Sequence, residues 1–302
     1  MILSIALALL LGHCLTSRAV AAPPDIKTLL PAGGQRGTTT EITLGGKLEA
    51  GAQVWASRPG ITAQIGEKGD TISLTVSAET LPGLCWLRFH NAEGASALRP
   101  FVIGVLPEVR ETEPNDALKA ALKIEAPATV ANGVLAKNGD VDTYAVTLAK
   151  GQTFVASLTA NNLLGSPMDG VLQLVSPRGF VIEQNNDDHG LDPQLVHTAT
   201  EDGVYCVRVF AFPAIGDASL HFSGKPEFIY RLTLTTGPFA DHAQPLIAKR
   251  DALTRVRLAG WNLPPDLLEL MPVDAGANAA IFDARLANTL TLPWTHLPIV
   301  AE

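Results

Sequence analysis

From Thr40 onward, apolar and polar residues alternate in short runs, among them Glu41-Ile42-Thr43-Leu44, Thr71-Ile72-Ser73-Leu74-Thr75-Val76 and Leu84-Cys85-Trp86-Leu87-Arg88-Phe89. Each run is bounded by Gly, Pro or Asn. A period of two predicts strands with one face buried and one solvated, as in an antiparallel sandwich. The pattern stops at Pro107, where Pro-Glu-Val-Arg-Glu-Thr-Glu-Pro-Asn-Asp offers nothing apolar to bury after Val109 and reads as a boundary. Asp116 to Leu122 then predicts one short helix, capped by Asn115 or Asp116. Strands are expected again over 141–148, 153–159, 170–175, 179–183, 194–198, 204–210 and 228–235, and Gly237-Pro238 ends the segment.

The segment after Pro238 repeats the first. With Pro31 laid on Pro245 without gaps, Arg36, Thr40, Leu44 and Gly46 fall on Arg250, Thr254, Leu258 and Gly260, with Ile42 opposite Val256. The strand alternation stays in phase, as a repeated β module requires. Thr71-Ile72-Ser73-Leu74 also matches Thr289-Leu290-Thr291-Leu292. That match leaves the second copy short by about two strands at its end, at typical strand length. The expectation is therefore an all-β chain of tandem antiparallel β-sandwiches: 1–21 an export signal, 22–106 a first sandwich, 107–238 a second, and 239–302 a partial third. A sandwich short of two strands leaves open edges, so the chain reads as the N-terminal part of a longer protein.

Composition narrows the function classes. Gly 26 and Pro 21 with 6% aromatic residues suit turns and short strands rather than long helices. The net charge of −8 repels a phosphate backbone, which excludes nucleic acid as a partner. Ile2 to Leu11 is an apolar run of signal-peptide length, too short to span a bilayer, and Ala19-Val20-Ala21 is a small-x-small cleavage pattern. Cleavage after Ala21 is expected and places the chain outside the cytoplasm: periplasmic, extracellular or on the cell surface. It also removes Cys14, leaving Cys85 and Cys206 in strand-like runs of different modules. These are read as two buried free thiols.

The middle region carries the most specific motifs. Glu111-Thr112-Glu113-Pro114-Asn115-Asp116 is followed by Gly139-Asp140-Val141-Asp142-Thr143-Tyr144, Met168-Asp169-Gly170, Asn186-Asp187-Asp188, Asp202-Gly203-Val204-Tyr205-Cys206 and Tyr230-Arg231-Leu232. From about Glu108 to Thr236 this order resembles the bacterial pre-peptidase C-terminal domain. The resemblance implies a jelly-roll-like secreted sandwich, itself non-catalytic, attached to hydrolases or surface proteins. Collagen-binding relatives hold calcium with a Glu-x-Glu-x-Asn-Asp segment, matched here by Glu111, Glu113, Asn115 and Asp116, and with a later Asp-x-x-Asp pair. Here that pair is spaced Asp140-x-Asp142. A hard cation wants six to eight oxygens, and carboxylates this dense repel one another without one, so calcium is the expected cofactor. The outer modules, through Leu81-Pro82-Gly83, Asn91-Ala92-Glu93-Gly94 and Gly260-Trp261-Asn262-Leu263, resemble immunoglobulin-like IPT/TIG domains.

Catalytic signatures are missing: there is no Gly-x-Ser-x-Gly elbow, His-Glu-x-x-His helix or phosphate-binding glycine loop. The expected role is a calcium-stabilised accessory or adhesion-type protein serving as spacer or targeting module. One alternative is a carbohydrate- or protein-binding module, collagen-binding-like; another is the non-catalytic N-terminal part of a secreted hydrolase, its catalytic domain beyond Glu302. The partner is then an extracellular polymer or protein. The four tryptophans, Trp55, Trp86, Trp261 and Trp294, separate these readings: two exposed on one sheet face would favour binding.

Overall fold

The computed structural model describes residues 22–126, 128–212, 221–251 and 255–299. The export signal, 1–21, lies outside them. The regular structure is almost all strand, and six sheets pair into three sandwiches. Among the described residues no helix is long and apolar enough to cross a membrane.

In the first sandwich, one sheet holds Leu29–Leu30, Thr39–Leu44, Thr71–Val76 and Ile61–Ile65 in that order across it. The other holds Gly33–Gln35, Arg99–Gly104, Gly83–Asn91 and Gln53–Ala56. Alternation does what the sequence predicts: Ile42, Ile72, Leu74, Leu87, Phe89 and Phe101 meet in the core. Cys85 is buried there as a free thiol, and Cys206 is another in the middle sandwich.

The repeat is real in three dimensions. Leu29 pairs with Leu44 in the first copy and Ala243 with Leu258 in the last, the same register at equivalent positions. Both chains then cross to the opposite sheet after cis Leu30–Pro31 and cis Gln244–Pro245. The shared glycines have a shared cause. A Cβ on Gly46 would sit 2.3 Å from Asp25 O, and one on Gly260 would sit 2.1 Å from Phe239 O, the equivalent carbonyl. Both contacts are with backbone, which cannot swing aside. Gly46→Ala and Gly260→Ala should each lower stability by about 1–3 kcal/mol in urea melts, the usual cost of overpacking. An unchanged midpoint would show that the two strands separate freely.

One strand equivalence differs from the expectation. Leu290–Thr295 does not take the place of Thr71–Val76. It pairs in parallel with Ala248–Lys249, as Arg99–Gly104 pairs with Gly33–Gln35, and so is the last strand of the repeat. The second copy is short between Gly260 and Leu290 rather than at its end. Its sheets are Phe239–Gln244, Val256–Trp261, Glu269–Leu270 against Ala248–Lys249, Leu290–Thr295, Asn278–Ile281, Val273–Asp274. Val256, Leu258, Leu267, Ile281 and Leu292 fill a small core between them.

The middle sandwich has two five-stranded sheets. One runs Glu108–Arg110, Ala128–Val134, Ile229–Thr235, Thr153–Thr159, Gln194–Thr198. The other runs Leu122–Lys123, Asp142–Leu148, Gly203–Phe212, Asp169–Val175, Val181–Asn185. Two expectations need correcting. Pro107 to Asp116 marks the boundary but is not without structure: Glu108–Arg110 is an edge strand parallel to Ala128–Val134. The expected helix shrinks to one turn, Leu118–Ala120, whose cap position Ala117 has no side-chain bond. Asp116 is used elsewhere, its Oδ1 accepting from Val141 N–H at 3.2 Å.

The modules are joined by packed surfaces. Leu164, Ile229 and Val134 of the middle sandwich extend the first core, while Phe239 and Ala287 of the third pack on Val155 of the middle one. Arg231 is the polar centre of the first joint. Its guanidinium donates to Glu108 Oε1 at 2.7 Å and Oε2 at 2.9 Å, and to Asn132 Oδ1 at 2.9 Å. A cleft of about 310 Å³ lies where all three modules meet, beside Ser157, Asp192, Gln194, Arg231, Asp241 and Asn288. Most of these polar groups are committed to structure. Asp192 accepts from Asn161 and Asn162 N–H, and Asn288 bonds Ala240 on both sides.

Candidate metal centre

The site begins with strand alternation. In Asp142–Leu148 the inward residues are Tyr144, Val146 and Leu148, so Asp142 lies on the same inward face at the rim of the sandwich. On the opposing sheet, Tyr230 shares its inward face with Leu232 and Leu234. The Tyr230 hydroxyl donates to Asp142 Oδ2 at 2.5 Å and lies 2.7 Å from the Tyr144 hydroxyl. Since the Tyr230 proton goes to the carboxylate, Tyr144 donates to Tyr230. Both tyrosines are buried, as their place in strand patterns predicts.

The segment after Glu108–Arg110 closes over this rim. Glu111 Oε1 accepts from Val134 N–H at 2.7 Å, and Oε2 lies 3.3 Å from the Tyr230 hydroxyl. Gly133 makes the room: a Cβ there would come within 2.3 Å of the Tyr230 hydroxyl and 2.5 Å of Glu111 Oε2. Glu113, Asp140 and Asp142 each present an oxygen within 4.8 Å of the others. The Asn115 side chain is fully buried beside Asp142, and neither its Oδ1 nor its Nδ2 makes a hydrogen bond of good geometry. Oδ1 of Asp140 and Oδ1 of Asp142 are also buried and unpartnered, while Asp140 Oδ2 takes Ala136 N–H at 2.5 Å. Asp116 stands apart from the trio, its carboxylate occupied by the Val141 N–H.

Such a cluster is costly as it stands. None of the ion pairs among the described residues includes Glu111, Glu113, Asp140 or Asp142. Burial pushes the Glu111 carboxyl far above the usual carboxylate range, and the hydrogen bond and charge of Asp142 push it further. Burial raises Asp142 too, against the opposing hydrogen bonds of Glu111 and Tyr230. At neutral pH the two therefore share a proton. The donor set is hard oxygen throughout, which fits calcium: Glu113, Asp140, Asp142 and the Asn115 carbonyl would hold it, joined by Glu111 once its proton leaves.

Residues 140–211 match the family model of the bacterial pre-peptidase C-terminal domain. The matched stretch lies within the middle sandwich. Asp140 and Asp142 stand at the start of the matched stretch, whereas Glu111 to Asp116 precede it. Among solved structures, the pre-peptidase C-terminal domain of a collagenase from Bacillus anthracis is 14% identical, covering 41% of this chain and 100% of that one with a TM-score of 0.30. A Bacteroides ovatus protein of a mixed-linkage glucan utilization locus, solved with a heptasaccharide, is 8% identical over 72% of this chain and 77% of that one, with a TM-score of 0.24. No curated protein matches the sequence.

Other acidic groups in the middle sandwich have structural work. The Asn185 to Asp192 loop bonds its own neighbourhood, as its composition predicts: Asn185 Oδ1 accepts from Gln194 N–H and Asp192 caps Asn161–Leu164. The tryptophans divide. Trp261 packs on Phe239 and Trp294 under Arg250, both part-buried, but Trp55 is 49% exposed and Trp86 38% exposed. The resemblance pointed to the acids, but not to Gly133 or to the contact of the Tyr230 hydroxyl with them. A Gly after Asn132 and a Tyr in a core run look like many others.

Proposed function

We propose that this chain is a secreted, non-catalytic accessory protein whose pre-peptidase domain is fastened by calcium and whose modules hold an extracellular polymer or protein. The observation that carries the calcium reading is the convergence of buried, unpartnered oxygens from Asn115, Asp140 and Asp142 beside Glu113. Buried polar atoms in native folds nearly always have a partner, and a cation is one that would satisfy these carboxylate and carbonyl oxygens together. Export rests on the sequence of residues 1–21. The accessory role is supported by the pre-peptidase match and by side chains that are committed to packing at the module joints.

Calcium must displace the proton shared by Glu111 and Asp142, so binding releases about one proton and weakens as the pH falls. Titration calorimetry in two buffers of different ionisation heat reads this directly. With the weak affinity usual for extracellular modules, Kd about 10⁻⁴ to 10⁻³ M, millimolar calcium stabilises the fold by about 0.4–1.4 kcal/mol. No heat and no shift in melting would overturn the calcium reading.

A further inference from the structure

The outer face of the first sandwich exposes two tryptophans, Trp55 at 49% and Trp86 at 38%. Gln53–Ala56 and Gly83–Asn91 are antiparallel neighbours in which Gln53 faces His90 and Trp55 faces Arg88. Residues directly opposite share a face, and residues two apart along a strand share it too. Trp55, Arg88 and Trp86 therefore lie together on the outer face, while Val54, Leu87 and Phe89 of the same strands turn to the core. Trp86 is flanked by Pro100 on one side and Ser57 on the other. Trp55 and Trp86 are thus held on rigid strands at diagonal cross-strand positions, whose Cα atoms lie about 7–8 Å apart.

The charge of this face is unlike that of the chain. The protein carries a net −8, yet the outward positions of these strands, Gln53, Trp55, Trp86, Arg88 and His90, include no Asp or Glu. Arg88 is exposed and has no ion pair among the described residues. Only its Nε is used, donating to Ser96 O at 3.0 Å, so the outer edge of the guanidinium stays open. Exposed tryptophans beside an open, unpaired guanidinium call for a ligand with flat apolar faces and a carboxylate. Sugar rings present C–H faces that stack on indole, and the guanidinium fork matches a carboxylate bidentately.

We infer that the Trp55–Arg88–Trp86 face binds a uronate-bearing glycan, with sugar rings on the two indoles and a uronate carboxylate on Arg88. This names the class of polymer in the accessory reading above and does not depend on calcium, since no residue is shared between the two sites.

The test titrates the full chain with short oligogalacturonates, oligomannuronates and oligoglucuronates, and with the methyl ester of the oligogalacturonate as an uncharged match. The acid form of at least one series should bind, its ester about tenfold more weakly, and the difference should shrink with added salt. Trp55→Ala and Trp86→Ala should each cost about tenfold or more in affinity, and Arg88→Gln should make acid and ester bind alike. Melting curves and the calcium response of these variants should match the parent, which separates failure of this site from failure of the calcium site. The inference is overturned if no oligouronate binds, if ester and acid bind equally to the parent, if the tryptophan variants bind as the parent does, or if this face retains a collagen-type polypeptide instead.

Discussion

Arg231→Ala should lower stability by about 3–5 kcal/mol, the range for removing one partner of a buried ion pair. The Arg231 and Glu108 side chains are 5% and 11% exposed. Their pairing is bidentate, and Asn132 closes the network by donating to Glu108 Oε2 at 2.8 Å while accepting from Arg231. Removing the guanidinium leaves the Glu108 carboxylate buried against Asn132 alone, with its desolvation uncompensated. It also opens space against Gly33, where even a Cβ would fall within 2.0 Å of Arg231 Nη1. The measurement is urea unfolding of Arg231→Ala, Glu108→Ala and the double variant. The two single losses should be strongly non-additive, because the second removal relieves the charge stranded by the first. Additive losses, or a single loss under about 1 kcal/mol, would show that water already reaches the pair.

This joint also shows where the sequence stops being legible. Alternating strands such as Thr71–Val76 and Thr39–Leu44 could be read from polarity alone, because one face is buried and the other is solvated or half-buried. Ala128–Val134 could not. It is a central strand whose five middle residues are all buried, and it contains Asn132 and Gly133, so polarity carries no period there. Glu108 looked like part of a solvated run because its partner, Arg231, is far away in sequence and a charged residue in isolation predicts exposure. The repeat was legible in its first half, where the register and the glycine contact are conserved between copies. Its second half was misaligned because a strand of Thr and Leu matches many others. Parallel pairing with Ala248–Lys249, a tertiary fact, decides the place of Leu290–Thr295.

Asp142→Asn should weaken calcium binding by about a hundredfold or more, since even supporting residues around a metal are worth ten- to a hundredfold. The same change should stabilise the protein in chelator at neutral pH. Burial raises the Asp142 and Glu111 carboxyls in the folded state. An acid whose folded pKa exceeds its unfolded value holds its proton more tightly when folded. Its stabilising contribution is therefore complete at low pH and declines as the pH rises from the ordinary carboxylate range, about 4, through the raised folded value. In chelator, the parent should lose stability over that rise and the variant should lose less, so the two converge in acid and separate at neutral pH. An amide at position 142 keeps the Tyr230 hydrogen bond and can donate to Glu111, so packing is preserved. In millimolar calcium the gap narrows, because only the parent gains the ion. Melting curves of both proteins at pH 5 and pH 7.5, with calcium and with chelator, contain the whole prediction. A variant less stable than the parent in chelator, or one that keeps the calcium shift, would mean that Asp142 serves the fold and not a cation.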